Sequence, residues 1–338
     1  MNLKKMFILL VVLSISLVAF AENSRTFYLS LWKSINTDGS NKISSHNIGL
    51  SALAITEADL NGVSFNLLGE QRVNCNGGQF SSGANVLKGS LRGVQFSTFV
   101  NIVQENVSGS QFALYNQSNE LIGTQFGVVN NSNYIKGAQF GLINLNRNSI
   151  KGLQLGLINF SGEVHGLQFG LINFAKNNED VAFGLINFIR NGYYSTDLWM
   201  NEEGIPFAGF RHGTDNFYME ISAGAKDLDD PVYWLGGVSF GTRTMLDFIE
   251  LDFNLGSYSV NDDTLWEVHD LNMLNQFRTT VGFNIYGDLI VYGGLTVNNF
   301  VSEKGDGSEL YGSSKIYNHD GSDIFVRSWL GYVAGIRF

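Results

Sequence analysis

The chain has 338 residues, with 21 Lys+Arg against 31 Asp+Glu for a net charge of −10, 39 Gly, 26 Phe, 13 Tyr, only 2 Pro and a single cysteine. An acidic chain without a basic patch is a poor partner for nucleic acid, and one thiol cannot close an internal disulfide. The length accommodates two domains, and a Gly-rich, aromatic-rich composition with 15% charged residues points to exposed β structure.

Residues 1–21 carry Lys4 and Lys5, an apolar run from Met6 to Leu13 that continues through Phe20, and the ending Ala19-Phe20-Ala21. This is the pattern of a secretory signal peptide with an Ala-x-Ala cleavage site, a short membrane anchor being the lesser alternative. No cysteine follows the apolar run to take a lipid. No later run approaches the roughly 18 apolar residues of a membrane helix, so a membrane form of this chain would be a barrel.

Residues 22–69 read as an adapter or cap. Strands are expected over 27–32 and 48–55 with a turn at 36–41, and 62–68 already paraphrase the phrase that follows. The Asp/Gly/Ser/Asn cluster of that turn resembles half of a calcium loop but lacks the downstream bidentate Glu. Cys75 reads as a half-buried small residue with nothing beside it to make it reactive.

From 70 to 188 one phrase recurs. Its clearest copies are Gly-Thr-Gln-Phe-Gly-Val-Val-Asn (123–130), Gly-Ala-Gln-Phe-Gly-Leu-Ile-Asn (137–144), Gly-Leu-Gln-Leu-Gly-Leu-Ile-Asn (152–159) and Gly-Leu-Gln-Phe-Gly-Leu-Ile-Asn (166–173). Gln79, Gln95, Gln111, Gln125, Gln139, Gln154 and Gln168 follow at steps of 16, 16, 14, 14, 15 and 14, and a last copy has Ala182 in that place. An apolar residue precedes the first glycine by two: Leu91, Val107, Leu121, Ile135, Ile150, Val164. Such a period is too short for a helix pair or a propeller blade and suits one coil of a narrow β-solenoid. Identical residues then stack about 4.8 Å apart. Phe80, Phe96, Phe112, Phe126, Phe140, Leu155, Phe169 and Phe183 would form an apolar spine. Asn85, Asn101, Asn116, Asn130, Asn144, Asn159, Asn173 and Asn187 would form an amide ladder, while Gly127, Gly141, Gly156, Gly170 and Gly184 would supply positive φ or close backbone approach. The rival is an antiparallel meander or further barrel strands.

From 189 to 338 the text changes. Residues 22–189 hold 10 Lys+Arg and 10 Asp+Glu, whereas 190–338 hold 9 and 21, a net of −12. Period-two alternation sets Ile249, Leu251, Phe253 and Leu255 against Glu250, Asp252 and Asn254, the pattern of apolar-out, polar-in membrane strands. Eight strands are expected, at 190–199, 204–211, 217–226, 233–242, 247–257, 277–286, 288–301 and 327–338, with short and long connections alternating. This makes a small barrel filled by its own side chains. The final strand puts Leu330, Tyr332, Ala334, Ile336 and Phe338 on one face. Its ending resembles the terminal signal that outer-membrane barrels present to their assembly machinery, which assigns that role to Tyr332 and Phe338 and implies outer-membrane lipid and that machinery as partners.

The repeats, behind a signal peptide and ahead of barrel-like strands, resemble the Gram-negative surface-repeat proteins that string together Gly-Leu-Gln-Leu-Gly-Leu-Ile-Asn phrases. The likeness covers residues 62–188 by motif and the rest by architecture, and implies an outer-membrane location without a defined chemistry. Gly237-Val238-Ser239-Phe240-Gly241 matches Gly-x-Ser-x-Gly, but Ser239 sits inside an alternating strand rather than on an elbow before a helix. His46, His165, His212, His269 and His319 have no zinc-like spacing. His269 lies in the acidic stretch 262–270, which reads as a solvated loop more readily than as a cation site. The expectation is an all-β, non-enzymatic outer-membrane protein with no cofactor, metal or catalytic residue, acting as a structural or adhesin-like component with its surface ligand open. A large pore and a small lipid-modifying barrel enzyme using Ser239 or His269 are the alternatives.

Overall fold

A computed structural model describes residues 27–32, 35–36, 45–227, 232–262, 271–303, 310–311, 317–320 and 324–338. The signal segment 1–21, most of the turn cluster at 36–41, and the acidic stretch beyond Asp262 with His269 lie outside them. The chain divides into two compact units, 1–176 and 177–338.

In the first unit every copy lies parallel to the next with equivalent residues side by side. Strand Tyr115–Phe126 sets Gly123, Gln125 and Phe126 beside Gly137, Gln139 and Phe140 of Val129–Phe140. The same register continues into Ile143–Leu155 and Ile158–Phe169. An antiparallel arrangement is thereby excluded, and the unit is a parallel β-solenoid, the stack running to about 10 turns. The alternative in which the repeats were additional barrel strands fails for the same reason. Stacking begins ahead of the first glutamine copy: Phe27–Trp32 pairs parallel with Ser45–Ile55, and that strand with Asp59–Arg72. Residues read as an adapter are thus coils themselves.

Two glycine columns shape each coil, for different reasons. The first glycine of the phrase, from Gly62 through Gly166, has φ between +136° and +157°, a region open only to a residue without Cβ. A Cβ on Gly137 would also stand 2.0 Å from the Gly123 carbonyl oxygen. The second column, which the sequence suggested for either role, serves close approach: a Cβ on Gly141 would stand 2.5 Å from the Gly127 oxygen and 2.7 Å from Asn130 Nδ2. Positive φ belongs to the other column.

Leu91, Val107, Leu121, Ile135, Ile150 and Val164 point inward and are buried. The phenylalanines do stack, Phe112 on Phe126 at 5.0 Å and Phe126 on Phe140 at 4.7 Å. Their spine runs along the outside, with Phe96 and Phe169 about half exposed.

The second unit opens with the last copy of the phrase, where Phe183 stacks on Phe240 at 4.2 Å and Thr214 Oγ1 donates to the Asp180 carbonyl at 2.7 Å. Eight antiparallel strands follow: Tyr193–Asn201, Pro206–Gly213, Phe217–Asp227, Val232–Leu246, Ile249–Asp262, Asn272–Tyr286, Leu289–Glu303 and Ile324–Arg337. The first pairs with the eighth, from Asp197 opposite Arg337 to Asn201 opposite Val333, so the barrel is closed. Two-residue turns at 247–248 and 287–288 carry Asp247 and Gly287 at φ +58°, the left-handed geometry that matches the twist of paired strands. The long connections lie at the opposite end.

Candidate functional site

Beside that inward apolar column, the solenoid interior is lined by amides. Each ladder glutamine donates from Nε2 to Oε1 of the glutamine one coil earlier, at 2.8 Å for Gln95 to Gln79, 2.9 Å for Gln111 to Gln95, 2.8 Å for Gln125 to Gln111, 2.9 Å for Gln139 to Gln125, 3.0 Å for Gln154 to Gln139 and 2.9 Å for Gln168 to Gln154. The asparagines donate the other way, toward the following coil: Asn116 to Asn130, Asn130 to Asn144, Asn144 to Asn159 and Asn159 to Asn173, each at 2.9 Å. Their second N–H meets the backbone carbonyl of residue 126, 140, 155 or 169 at 2.8 to 2.9 Å. Asn187, in the second unit, donates to the Gly184 carbonyl at 3.0 Å. All of these side chains are buried. The two amide columns therefore carry opposed dipoles, and ordered donor and acceptor atoms offset the cost of burying polar groups.

A ladder whose donors all point toward the first coil needs an acceptor at that end. Glu70 provides it, taking Gln79 Nε2 at 2.9 Å and the Ser64 hydroxyl. Its charge is balanced by Arg72 Nε at 2.6 Å, and Arg72 Nη1 reaches His46 Nδ1 at 3.0 Å. Cys75 is more deeply buried than expected. Desolvation, then the nearby Glu70 charge, push its thiol up to about 12, with Arg72 pulling the other way.

The barrel is likewise polar inside. Arg211 binds Glu220 at 2.7 Å and both Asp252 and Asp197 at 2.8 Å. Arg278 binds Glu220 at 2.9 Å, Arg337 binds Asp197 at 2.6 Å and also Glu250, and Arg243 binds Glu250 at 3.1 Å. Four guanidiniums thus meet four carboxylates, and each guanidinium also faces an aromatic ring: Arg211 over Tyr218 at 4.1 Å, Arg243 over Tyr193 at 3.5 Å, Arg278 over Trp199 at 4.6 Å and Arg337 over Tyr292 at 4.9 Å. Planar, forked and permanently charged, Arg suits this double duty better than Lys. Toward the long connections the filling becomes aromatic. Trp199 stacks on Phe207 at 5.1 Å, Tyr311 lies 4.8 Å from Trp329, and Leu235, Tyr258 and Phe300 complete a buried cluster.

Ser239 belongs to this filling. It accepts from Asn254 Nδ2 at 2.9 Å and lies 3.4 Å from Glu220, fully buried. Among the described residues its hydrogen-bond partners are Asn254 and Glu220 and include no histidine, so this geometry does not supply a base for a nucleophile. Tyr332 and Phe338 both face outward and are more than half exposed. The Phe338 backbone exchanges hydrogen bonds with Thr196 at 2.8 and 3.0 Å, sealing the barrel seam. The charge network was missed by sequence reasoning. Inward positions of Glu220, Glu250 and Asp252 followed from alternation, but their partners are as much as 87 residues away in the chain, and Asp197 meets Arg337 across 140. No protein-family model, curated protein or solved structure matches the chain.

Proposed function

We propose that this chain is a non-enzymatic outer-membrane protein of a Gram-negative bacterium, exported by residues 1–21, in which the filled barrel is the membrane anchor and the repeat solenoid the structural or adhesin-like element. The observation that carries this reading is the inverted distribution of polarity in the barrel. Seven ionisable side chains, Asp197, Arg211, Glu220, Glu250, Asp252, Arg278 and Arg337, are buried inside, while Leu255, Ile285 and Leu295 on the wall are 63%, 62% and 71% exposed. In water that arrangement loses the hydrophobic term and adds a desolvation penalty. In lipid the wall is matched to its solvent, and closure leaves no strand edge unpaired. Tyr332 and Phe338 on the sealing strand are the groups we assign to recognition by barrel assembly machinery, in keeping with the resemblance to surface-repeat proteins.

The test is fractionation of cells expressing the full chain, with heat-modifiable electrophoretic migration as the folding readout. The reading requires recovery with outer-membrane lipid, extraction only by detergent, and a migration shift on boiling. Monodisperse protein in detergent-free buffer would overturn it. Protease treatment of intact cells then reports whether the repeats are displayed.

A further inference from the structure

The two ends of the barrel differ. At one end neighbouring strands are joined by 214–216, 247–248 and 287–288, none longer than three residues. At the other the connections are 202–205, 228–231, 263–271 and 304–323. These four hold 11 Asp+Glu against two Lys, whereas each short turn holds a single Asp. The first barrel strand starts at the short-turn end, where Tyr193 lies opposite Gly213.

The segment that leads into this strand is fastened to the same end. Thr214 Oγ1 donates to the Asp180 carbonyl at 2.7 Å, and the ring of Phe183 lies 5.7 Å from that of Phe217, the first residue of the third barrel strand. Tyr194 Oη donates to the Ile189 carbonyl at 2.8 Å and accepts from the Ile189 N–H at 3.0 Å. Everything ahead of residue 178 therefore joins the barrel from the short-turn end.

The cost of crossing a bilayer decides which way that end faces. A chain exported by residues 1–21 meets the outer membrane from the periplasm, and one end of the barrel has to pass through. Hydrocarbon penalises every polar backbone group and charge carried across. With the long connections leading, the largest piece to cross is the stretch 304–323. With the short turns leading, the whole repeat unit would have to follow, including its buried amides and the Glu70–Arg72 pair. The barrel lumen offers no conduit, because Arg211, Glu220, Asp252 and Arg278 are packed within it. The cheaper orientation also leaves short turns in the periplasm and longer loops outside, as in other outer-membrane barrels.

We infer that the repeat solenoid is on the periplasmic side of the outer membrane and that the acidic long connections are the part of the barrel displayed at the cell surface. The inference rests on the membrane reading above and narrows it. The repeats become an inward-facing structural element with periplasmic partners, and any adhesin-like contact falls to the long connections.

The test uses the full chain with Cys75→Ala and one added cysteine at an exposed position: Lys151→Cys in the repeats, Asp288→Cys at a short turn, or Asp262→Cys where a long connection begins. Glu303→Cys, at the start of another long connection, replaces Asp262→Cys if that variant lacks heat-modifiable migration. Cells are treated with a maleimide on a polyethylene glycol chain too large to pass the outer membrane, before and after that membrane is permeabilised, and labelling is read as a gel shift. Position 262 is expected to shift on intact cells, and positions 151 and 288 only after permeabilisation. A shift at 151 on intact cells, in protein that still needs detergent for extraction, overturns this inference and leaves the barrel reading standing. Shifts at 262 and 303 that require permeabilisation do the same. Labelling at every position in chain recovered from detergent-free buffer overturns both.

Discussion

At the level of single residues, the amide ladders make each ladder position expensive to change. Gln125→Ala removes the donor to Gln111 and the acceptor of Gln139, both buried, so we expect a loss of about 2–4 kcal/mol, read from the urea midpoint of solenoid unfolding. Glycine should separate by position. Gly137→Ala meets both a left-handed φ and the Gly123 oxygen and should cost about 3 kcal/mol or more, whereas Gly204→Ala, at φ +72° with open space around it, should cost about 1 kcal/mol. Cys75 offers a pH test. Its unfolded thiol ionises near the ordinary 9.0 while the buried one stays protonated until about 12, so stability should fall as pH rises through that window. Ellman's reagent at pH 8 should react slowly with the native chain and fully in urea; rapid native labelling would contradict the burial.

Among elements, the two units solve the same problem by different means. A narrow coil takes one column of Leu, Val and Ile and flat amides that bond along the stack, and its phenylalanines go outside. The barrel is wider and takes long Arg side chains, each fastened to carboxylates and backed by a ring. Removing one partner of such a buried set leaves uncompensated charge. Arg278→Ala should therefore cost about 3–5 kcal/mol, seen as a lower temperature for the heat-modifiable shift, because Glu220 then relies on Arg211. Ser239→Ala, which removes the hydroxyl acceptor for Asn254 and a long bond donated to Glu220, should cost about 1 kcal/mol. A large effect of that change on lipid hydrolysis, rather than on stability, would revive an enzymatic reading.

For the whole molecule, modular stacking in one half and closure in the other lead to opposite responses to deletion. Excising residues 137–151 joins Lys136 to Gly152 and keeps the phrase in register, since Gly137 already lies opposite Gly152. The shortened chain should keep its circular dichroism per residue, as stacked repeats interact only with their neighbours. Deleting strand Leu289–Glu303 should abolish the migration shift, because closure needs every strand. A lumen filled by the charge network and the aromatic cluster should also pass no steady current in planar bilayers.

The repeat period, the equivalence of residues across copies, and the start of alternation after Phe188 were all legible in the chain, because stacking and pleating repeat side-chain environments at fixed intervals. Strands such as Phe217–Asp227 and the terminal Ile324–Arg337 lie close to where alternation placed them. Periodicity states which residues are alike, but not which side of a sheet is enclosed. Only the tertiary structure put Gln125 and Asn130 inside and Phe126 outside, since the width of the bore decides what fits. The same limit hid the pairing of Arg337 with Asp197: a guanidinium and a carboxylate far apart in sequence meet only when the first and last strands are joined.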